Sequence, residues 1–364
     1  MTYKPIDVEK LRSLGVPEEA IATMDPRDGG NITPQGEVLF LDEERMHSKE
    51  NFDRPLRVNK PNGLGIRNAL ATTISKKISP EEAPPVKMFE LMINGATWPD
   101  DSKKGKFYQW LMGFGNYGNT GSVVFPLNVD LSDEGATGVI PIDMVYSYLE
   151  EAEYIAILKM CVCRKAYECK DYPSDLGCIF LNTAGRLAVK NGIGEHVTVE
   201  QAKAHVQRAK SLGLAANADM VEIEQLIWGL RNDEMNDLRM ICFCCPCCCI
   251  MYNISRNGSD DLRRKRFTSC GFTTTVNHDK CVGCHKCQSI CPKHAITYRE
   301  DGKCVIDQDS CFGCGFCKSE YEYGALTVKQ TFPMRDSLND YFVDVLRIDD
   351  GRPHSKVVKH EEDY

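Results

Sequence analysis

The sequence predicts an α+β protein: a mostly helical, cysteine-rich module followed by a smaller, internally repeated β unit, with an extended arm at each end. Three observations predict it. The 19 cysteines of the 364-residue chain all fall between Cys161 and Cys317. Helix caps and helical spacing alternate with short apolar runs from about residue 86 to 240. A short motif then repeats from about residue 270. The boundaries expected from these shifts are 1–85, 86–268, 269–331 and 332–364, within the two or three units that the length suggests.

Residues 1–85 are polar, cysteine-free and broken by Pro and Gly, with DPRDGGNITPQGE and SPEEAPPV as loops and Pro17 opening a short helix. So little apolar content reads as an arm lying over another surface. MFELMINGATW and FYQWLMGF carry the aromatics of a better-packed stretch. SVVFPLNV and GVIPIDMV read as short strands. Asp143 is the expected N-cap of a helix with Val145, Leu149, Ala152 and Ala156 on one face. YIAIL then reads as a buried strand. Asn182 to Gly194 and Met220 to Met240 read as mainly helical. Thr198-Val-Glu-Gln201 is a capping box for a further helix that ends near Gly213. The tail, with 8 acidic and 5 basic residues from Phe332 to Tyr364, reads as an extended arm.

Composition narrows the function. Hydrophobic residues are 42%, charged residues 26%, and the net charge is −8, which argues against a basic nucleic-acid binder. No apolar run has bilayer-spanning length; the best, Ile241 to Tyr252, is too short and half cysteine. MTYKPIDVEK has no apolar signal core, so a cytoplasmic protein is expected. In that reducing setting disulfides are rare, and an odd number of cysteines cannot all pair, so metal binding is the default reading. Gly113-Phe-Gly115-Asn-Tyr-Gly118 matches a dinucleotide motif in letters but not in context.

Cys281-Val-Gly-Cys284-His-Lys-Cys287-Gln-Ser-Ile-Cys291-Pro292 has the spacing C-x2-C-x2-C-x3-C-P, and Cys311-Phe-Gly-Cys314-Gly-Phe-Cys317 repeats its first three cysteines. A tight loop carries three thiolates to one cubane, and the fourth, beside Pro, turns to the other cluster. Zinc, with four tetrahedral ligands usually offered as two separate pairs, suits this order poorly. The pair of repeats resembles the bacterial two-cluster ferredoxin domain. That resemblance implies two antiparallel β-hairpins with short helices around two 4Fe–4S clusters. By the crossed ligation of the family it also implies Cys311, Cys314, Cys317 and Cys291 on one cluster, and Cys281, Cys284 and Cys287 on the other. Where the family supplies a fourth cysteine to the latter, this chain has Tyr321 and Glu322. A 3Fe–4S cluster, a substitute ligand (Cys304, Cys270 or Tyr321) or an open iron would each answer the gap. Cys304 also reads simply as a small buried strand residue. His285 reads as a partly exposed modulator of potential, and His278 and His294 as solvated.

Ten more cysteines form two groups: Cys161, Cys163, Cys169 and Cys178, then Cys242, Cys244, Cys245, Cys247, Cys248 and Cys249. Six thiols in eight residues suit neither a strand nor a helix, and an irregular loop around a cluster accommodates them better. One or two further iron–sulfur clusters are expected here. Two cubanes, one cubane with structural cysteines, or zinc on four of the ten would each use them. Two five-cysteine sets would resemble the non-cubane clusters of the catalytic subunit of heterodisulfide reductases, but Pro246 stands where that family has Gly after its Cys-Cys pair. A palmitoylated string is the blandest alternative. Arg164 reads either as a hydrogen-bond donor to a cluster sulfur or as half of a surface ion pair. The whole arrangement resembles iron–sulfur electron-transfer proteins of anaerobic prokaryotes over roughly 120–330. It implies a carrier of low-potential electrons held in a larger oxidoreductase complex with redox partner proteins. The alternative is a reductase, for instance of a disulfide, with an open-site cluster. Residues 270–330 hold seven basic and seven acidic residues, so steering by charge is expected to be weak.

Overall fold

The computed structural model describes residues 8–13, 18, 86–114, 120–127, 140–190, 192–221, 239–319 and 323–342. Tyr321 and Glu322, most of 1–85 and the segment 222–238 lie outside them, and with them the helix expected after Pro17 and the body of the one expected from Met220 to Met240.

In chain order the elements are α1 (Val8–Ser13), α2 (Val86–Ala96), α3 (Lys103–Met112), β1 (Gly121–Phe125), α4 (Pro141–Glu151), β2 (Ile155–Leu158), α5 (Val162–Ala166), β3 (Ile179–Leu181), α6 (Asn182–Lys190), β4 (Gly194–His196), α7 (Val199–Ser211), β5 (Ala215–Met220) and β6 (Arg239–Cys244). There follow α8 (Ile250–Asn257), α9 (Asp260–Arg266), β7 (Phe267–Ser269), β8 (Phe272–Val276), α10 (Lys286–Ile290), β9 (Ile296–Tyr298), β10 (Cys304–Ile306), α11 (Phe316–Ser319), β11 (Leu326–Gln330) and α12 (Leu338–Asp340).

The α+β class holds, and the cysteine-rich part carries more helix than strand, but helices alone do not organise it. A seven-stranded sheet in the order β4-β2-β3-β6-β5-β1-β7 organises it, antiparallel except for the β1–β7 pair. The reason is visible in β5. AANADM has weak strand character and no alternation, so it does not advertise itself, yet all six residues are buried between β1 and β6. Two other expectations shift. GVIPIDMV is not a strand: Ile140 caps α4, Pro141 occupies its first turn, and Asp143 lies inside that turn rather than at the cap. Met220, Arg239 and Met240 belong to strands β5 and β6. The capping box at Thr198 is present, with Gln201 N–H donating to Thr198 Oγ1 at 3.2 Å and Thr198 N–H to Gln201 Oε1 at 2.8 Å.

Alternation along the central strands sorts the sheet faces. Asn217 pairs with Cys242 and Ala215 with Cys244, so both cysteines share a face with Asn217 and Asp219. Helix α8 lies over this face; Tyr252 donates its hydroxyl to Asn217 Oδ1 at 2.5 Å, and Asn217 Nδ2 donates to Ser122 Oγ at 3.1 Å. Phe243 points to the opposite face, where the His205 ring of α7 meets it edge-on at 5.3 Å.

Beyond β7 the chain forms two small antiparallel sheets. β9 and β10 make a hairpin. β8 pairs instead with the distant β11, joining the ends of the repeated unit, so only one of the two expected hairpins is local. The first stretch of the expected C-terminal arm differs from a polar extension: Leu338, Tyr341 and Phe342 are buried. Tyr341 meets Phe125 edge-on at 5.9 Å and donates its hydroxyl to the Cys270 carbonyl. No helix among the described residues is long and apolar enough to cross a membrane.

Candidate metal centres

The ten cysteines of 161–249 converge. Strands β3 and β6, adjacent in the middle of the sheet, and the short helix α5 bring the two groups together. Cys178 and Cys242 interact thiol to thiol, as do Cys161 and Cys163. Cys249 donates to Cys244 across 3.1 Å. The sulfurs of Cys169, Cys245, Cys247 and Cys248 all lie within 4.8 Å of one another. The loop holding them is tied to α8, where Asn253 Nδ2 donates to the Cys247 and Cys249 carbonyls at 3.2 and 3.0 Å and Arg256 donates to the Pro246 carbonyl at 3.0 Å. Cys248 N–H points at Cys245 Sγ from 3.4 Å.

At the centre is Arg164, 1% exposed. Among the described residues it makes no ion pair. Its guanidinium donates to the carbonyls of Pro173 at 2.8 Å, Phe243 at 2.7 Å and Leu176. Burial opposes its charge, but the cysteines around it, Cys161, Cys245, Cys178 and Cys244, together raise its pKa. Reciprocally, Cys245 is brought down to about 5, first by its hydrogen bond with Cys247 and, against burial, by Cys248 N–H and Arg164. Cys161 is brought down to about 7 by its hydrogen bond with Cys163, whereas several other thiols are pushed up by their neighbours and by burial. Cys244 is raised well above an ordinary thiol by Cys249 and by burial, and Cys242 by Cys178 and burial. Beside them Asp219, buried between Ser122 and Cys242, is pushed up to about 6 by burial. Many soft donors, several of which oppose each other's ionisation, with the Arg164 cation among them, form a donor set that a thiophilic metal would relieve.

The repeated unit gathers its cysteines in two places. A cavity of about 330 Å³, counting its open mouth, is lined by Cys291, Cys311, Cys314 and Cys317 together with Pro292, Lys293, Phe312 and Phe316. Thr274 N–H points at Cys311 Sγ from 3.4 Å. Cys281, Cys287 and Cys304 pack in a small core with Ile296, Ile306 and Cys317 that adjoins this cavity. Cys284 is the exposed member of its loop. Both C-x-G-C loops depend on glycine. Gly283 has φ +66°, and a Cβ there would lie 2.8 Å from the Gly302 carbonyl oxygen; Gly313 has φ +67°, and a Cβ there would lie 2.2 Å from that of Phe272.

Several functional neighbours go unseen in the sequence. Lys293, which counts as a surface charge on paper, is 3% exposed; it donates to the carbonyls of Arg263 and of Phe267 (2.9 Å) and lies 5.3 Å over the Phe312 ring. Burial brings its pKa down to about 7. His278 is not simply solvated, since its Nε2 meets the Cys304 carbonyl at 3.1 Å. The one advance signal for Lys293 is its place directly after Cys291-Pro292.

Against known families, residues 274–297 match the model described as a 4Fe-4S binding domain. This segment spans the whole first cysteine motif, so the chain carries an iron–sulfur domain of ferredoxin type for at least one 4Fe–4S cluster. No curated protein matches the chain.

Proposed function

We propose that this protein relays low-potential electrons between a donor and a partner oxidoreductase as the iron–sulfur subunit of a complex in anaerobic metabolism, working in the cytoplasm. In this reading the repeated unit holds two clusters. Cys291, Cys311, Cys314 and Cys317 carry one, and Cys281, Cys284 and Cys287 hold the other. The 161–249 cysteines hold one or two more. An iron–sulfur cluster accepts and returns one electron at a potential tuned by burial and by hydrogen bonds to its sulfurs. The polypeptide positions the clusters and sets their surroundings.

The observation that carries this reading is Tyr252. It lies three residues after Cys249, is fully buried, and meets Phe312 and Phe316 edge-on at 5.5 and 5.7 Å. Those two phenylalanines alternate with Cys311, Cys314 and Cys317 in sequence. A small group of packed aromatic rings therefore joins the two cysteine regions, an arrangement that suits a relay better than two unrelated structural metals.

The sulfur spacing of Cys169, Cys245, Cys247 and Cys248 also favours a second reading for those four. Around one tetrahedral ion with metal–sulfur bonds of about 2.3 Å, thiolates stand ~3.8 Å apart. Iron, zinc and sulfide content of the anaerobically purified chain, with an EPR-monitored redox titration, separates the cases. About twelve or more irons and at least three reducible centres are expected, at roughly four irons per cubane. About eight irons plus one zinc would restrict clusters to the repeated unit. Clusters that never reduce within the range of low-potential donors would overturn the relay.

A further inference from the structure

Resting on the two-cluster reading above, we propose that Cys304 is the fourth ligand of the cluster held by Cys281, Cys284 and Cys287, replacing the cysteine that the repeat lacks at Tyr321. Three observations carry it. Cys304 is the first residue of β10, where alternation turns Cys304 and Ile306 inward and leaves Val305 at the surface. Its thiol, 1% exposed, lies 3.8 Å from Cys281 Sγ and interacts with Cys287, so within the small core it meets two of the three motif cysteines. Its own N–H points at Cys281 Sγ from 3.4 Å, the direction a backbone amide takes towards a metal-bound thiolate.

The backbone around it is fixed. His278 Nε2 meets the Cys304 carbonyl at 3.1 Å, and Tyr298, directly opposite in the β9–β10 register, places its hydroxyl 3.6 Å from Cys287 Sγ. His285 stacks on that tyrosine at 3.6 Å. The turn of the hairpin presses on the cysteine loop at Gly283 and Gly302. The hairpin is thereby held against the loop that carries the first three ligands, and its inward cysteine faces them.

Cys270 has no comparable position. It packs in the large core, its N–H donates to the Val124 carbonyl at 3.2 Å, and its own carbonyl accepts from Tyr341. On binding, the Cys304 thiol releases its proton to solvent and its thiolate occupies the iron that three ligands leave open. A cluster so closed has no open iron for substrate, which favours the relay over the open-site reductase.

The test uses the full chain, reconstituted anaerobically, as wild type, Cys304→Ala, Cys270→Ala and the double variant Cys304→Ala with Tyr321→Cys. Cys304→Ala is expected to lose about one iron per chain and to gain the EPR signal of an oxidised three-iron cluster. Cys270→Ala keeps the wild-type iron content and spectrum. The double variant regains the lost iron, and the signal of the cluster at Cys291 and Cys311–Cys317 serves in every variant as the control for folding. A three-iron signal already present in the wild type, or Cys304→Ala with full iron and an unchanged spectrum, would overturn the assignment while leaving the two-cluster reading intact. A wild type without acid-labile sulfide would overturn both.

Discussion

The two cysteine regions reach similar ends by different means. In 281–317 the thiols come from tight loops whose shape is set locally: a glycine in the left-handed region, a three-residue period and a proline. In 161–249 they come from places far apart in sequence, and a seven-stranded sheet assembles them. The first design is encoded in a line of letters. The second requires Cys178 and Cys242 to meet through β3–β6 pairing, and Cys169 to meet Cys247 at 3.7 Å across a long stretch of chain. The first should therefore tolerate changes in the sheet, and the second should fail with it.

Replacement of Arg164 tests that dependence most severely. Arg164→Met removes the donor to three carbonyls, those of Pro173, Phe243 and Leu176. Each buried acceptor left unmet costs about 1–3 kcal/mol, so a loss of at least ~3 kcal/mol is expected. It also removes the buried cation beside Cys161, Cys178, Cys244 and Cys245. Thermal unfolding should drop sharply, and metal content should fall by the share of 161–249 alone. Equal metal loss from both regions would show that they are not separable in this way.

The same contrast explains what could be read in the sequence. The spacing from Cys281 to Cys317 is legible because loop geometry is local, and it leads to the segment that matches a 4Fe-4S binding domain. The ten other cysteines are legible as two groups of thiols but not in their partition, because strand order decides which meet. The sheet itself escapes notice where strands are short or poor in β-branched residues, as in β5, and the start of helix α4 reads as a strand because Pro-Ile-Asp follows an apolar pair. Arg164 can be nominated from its place beside Cys163, but its burial, and that of Lys293, follow only from tertiary packing.

A milder break is expected in the loop-built region. In Gly313→Ala the new Cβ would meet backbone, the Phe272 carbonyl at 2.2 Å, at a φ of +67° that other residues resist. Backbone cannot swing aside as a side chain can, so Cys311 and Cys314 should lose their mutual placement. Iron should fall by about one cubane, roughly four per chain, while the sheet keeps its unfolding temperature within a few degrees. Retention of every cluster signal would show that the loop has more freedom than its geometry indicates.

The smallest effect expected is on potential alone, at Lys293. Its ammonium lies in the wall of the cavity with Cys291 and Cys311, and the charges of both cysteines favour it. Burial works against that charge, but a cluster bound by thiolates is anionic and would hold the proton. A reduced cluster carries one more negative charge than an oxidised one, so a nearby cation stabilises the reduced form and raises the potential. A glutamine side chain is almost as long and keeps two N–H donors for the Arg263 and Phe267 carbonyls, so Lys293→Gln removes charge with little loss of packing. Coulombic loss at an intermediate dielectric is about 1–2 kcal/mol, which for one electron lowers the midpoint by on the order of 50 mV. The shift should be largest in the centre at Cys291 and Cys311, the cysteines that interact with Lys293, and smaller in those of 161–249. An equal shift in every centre would mean that the two regions share one electrostatic environment, and the distinction between a locally built and a sheet-built set of cysteines would not extend to their potentials.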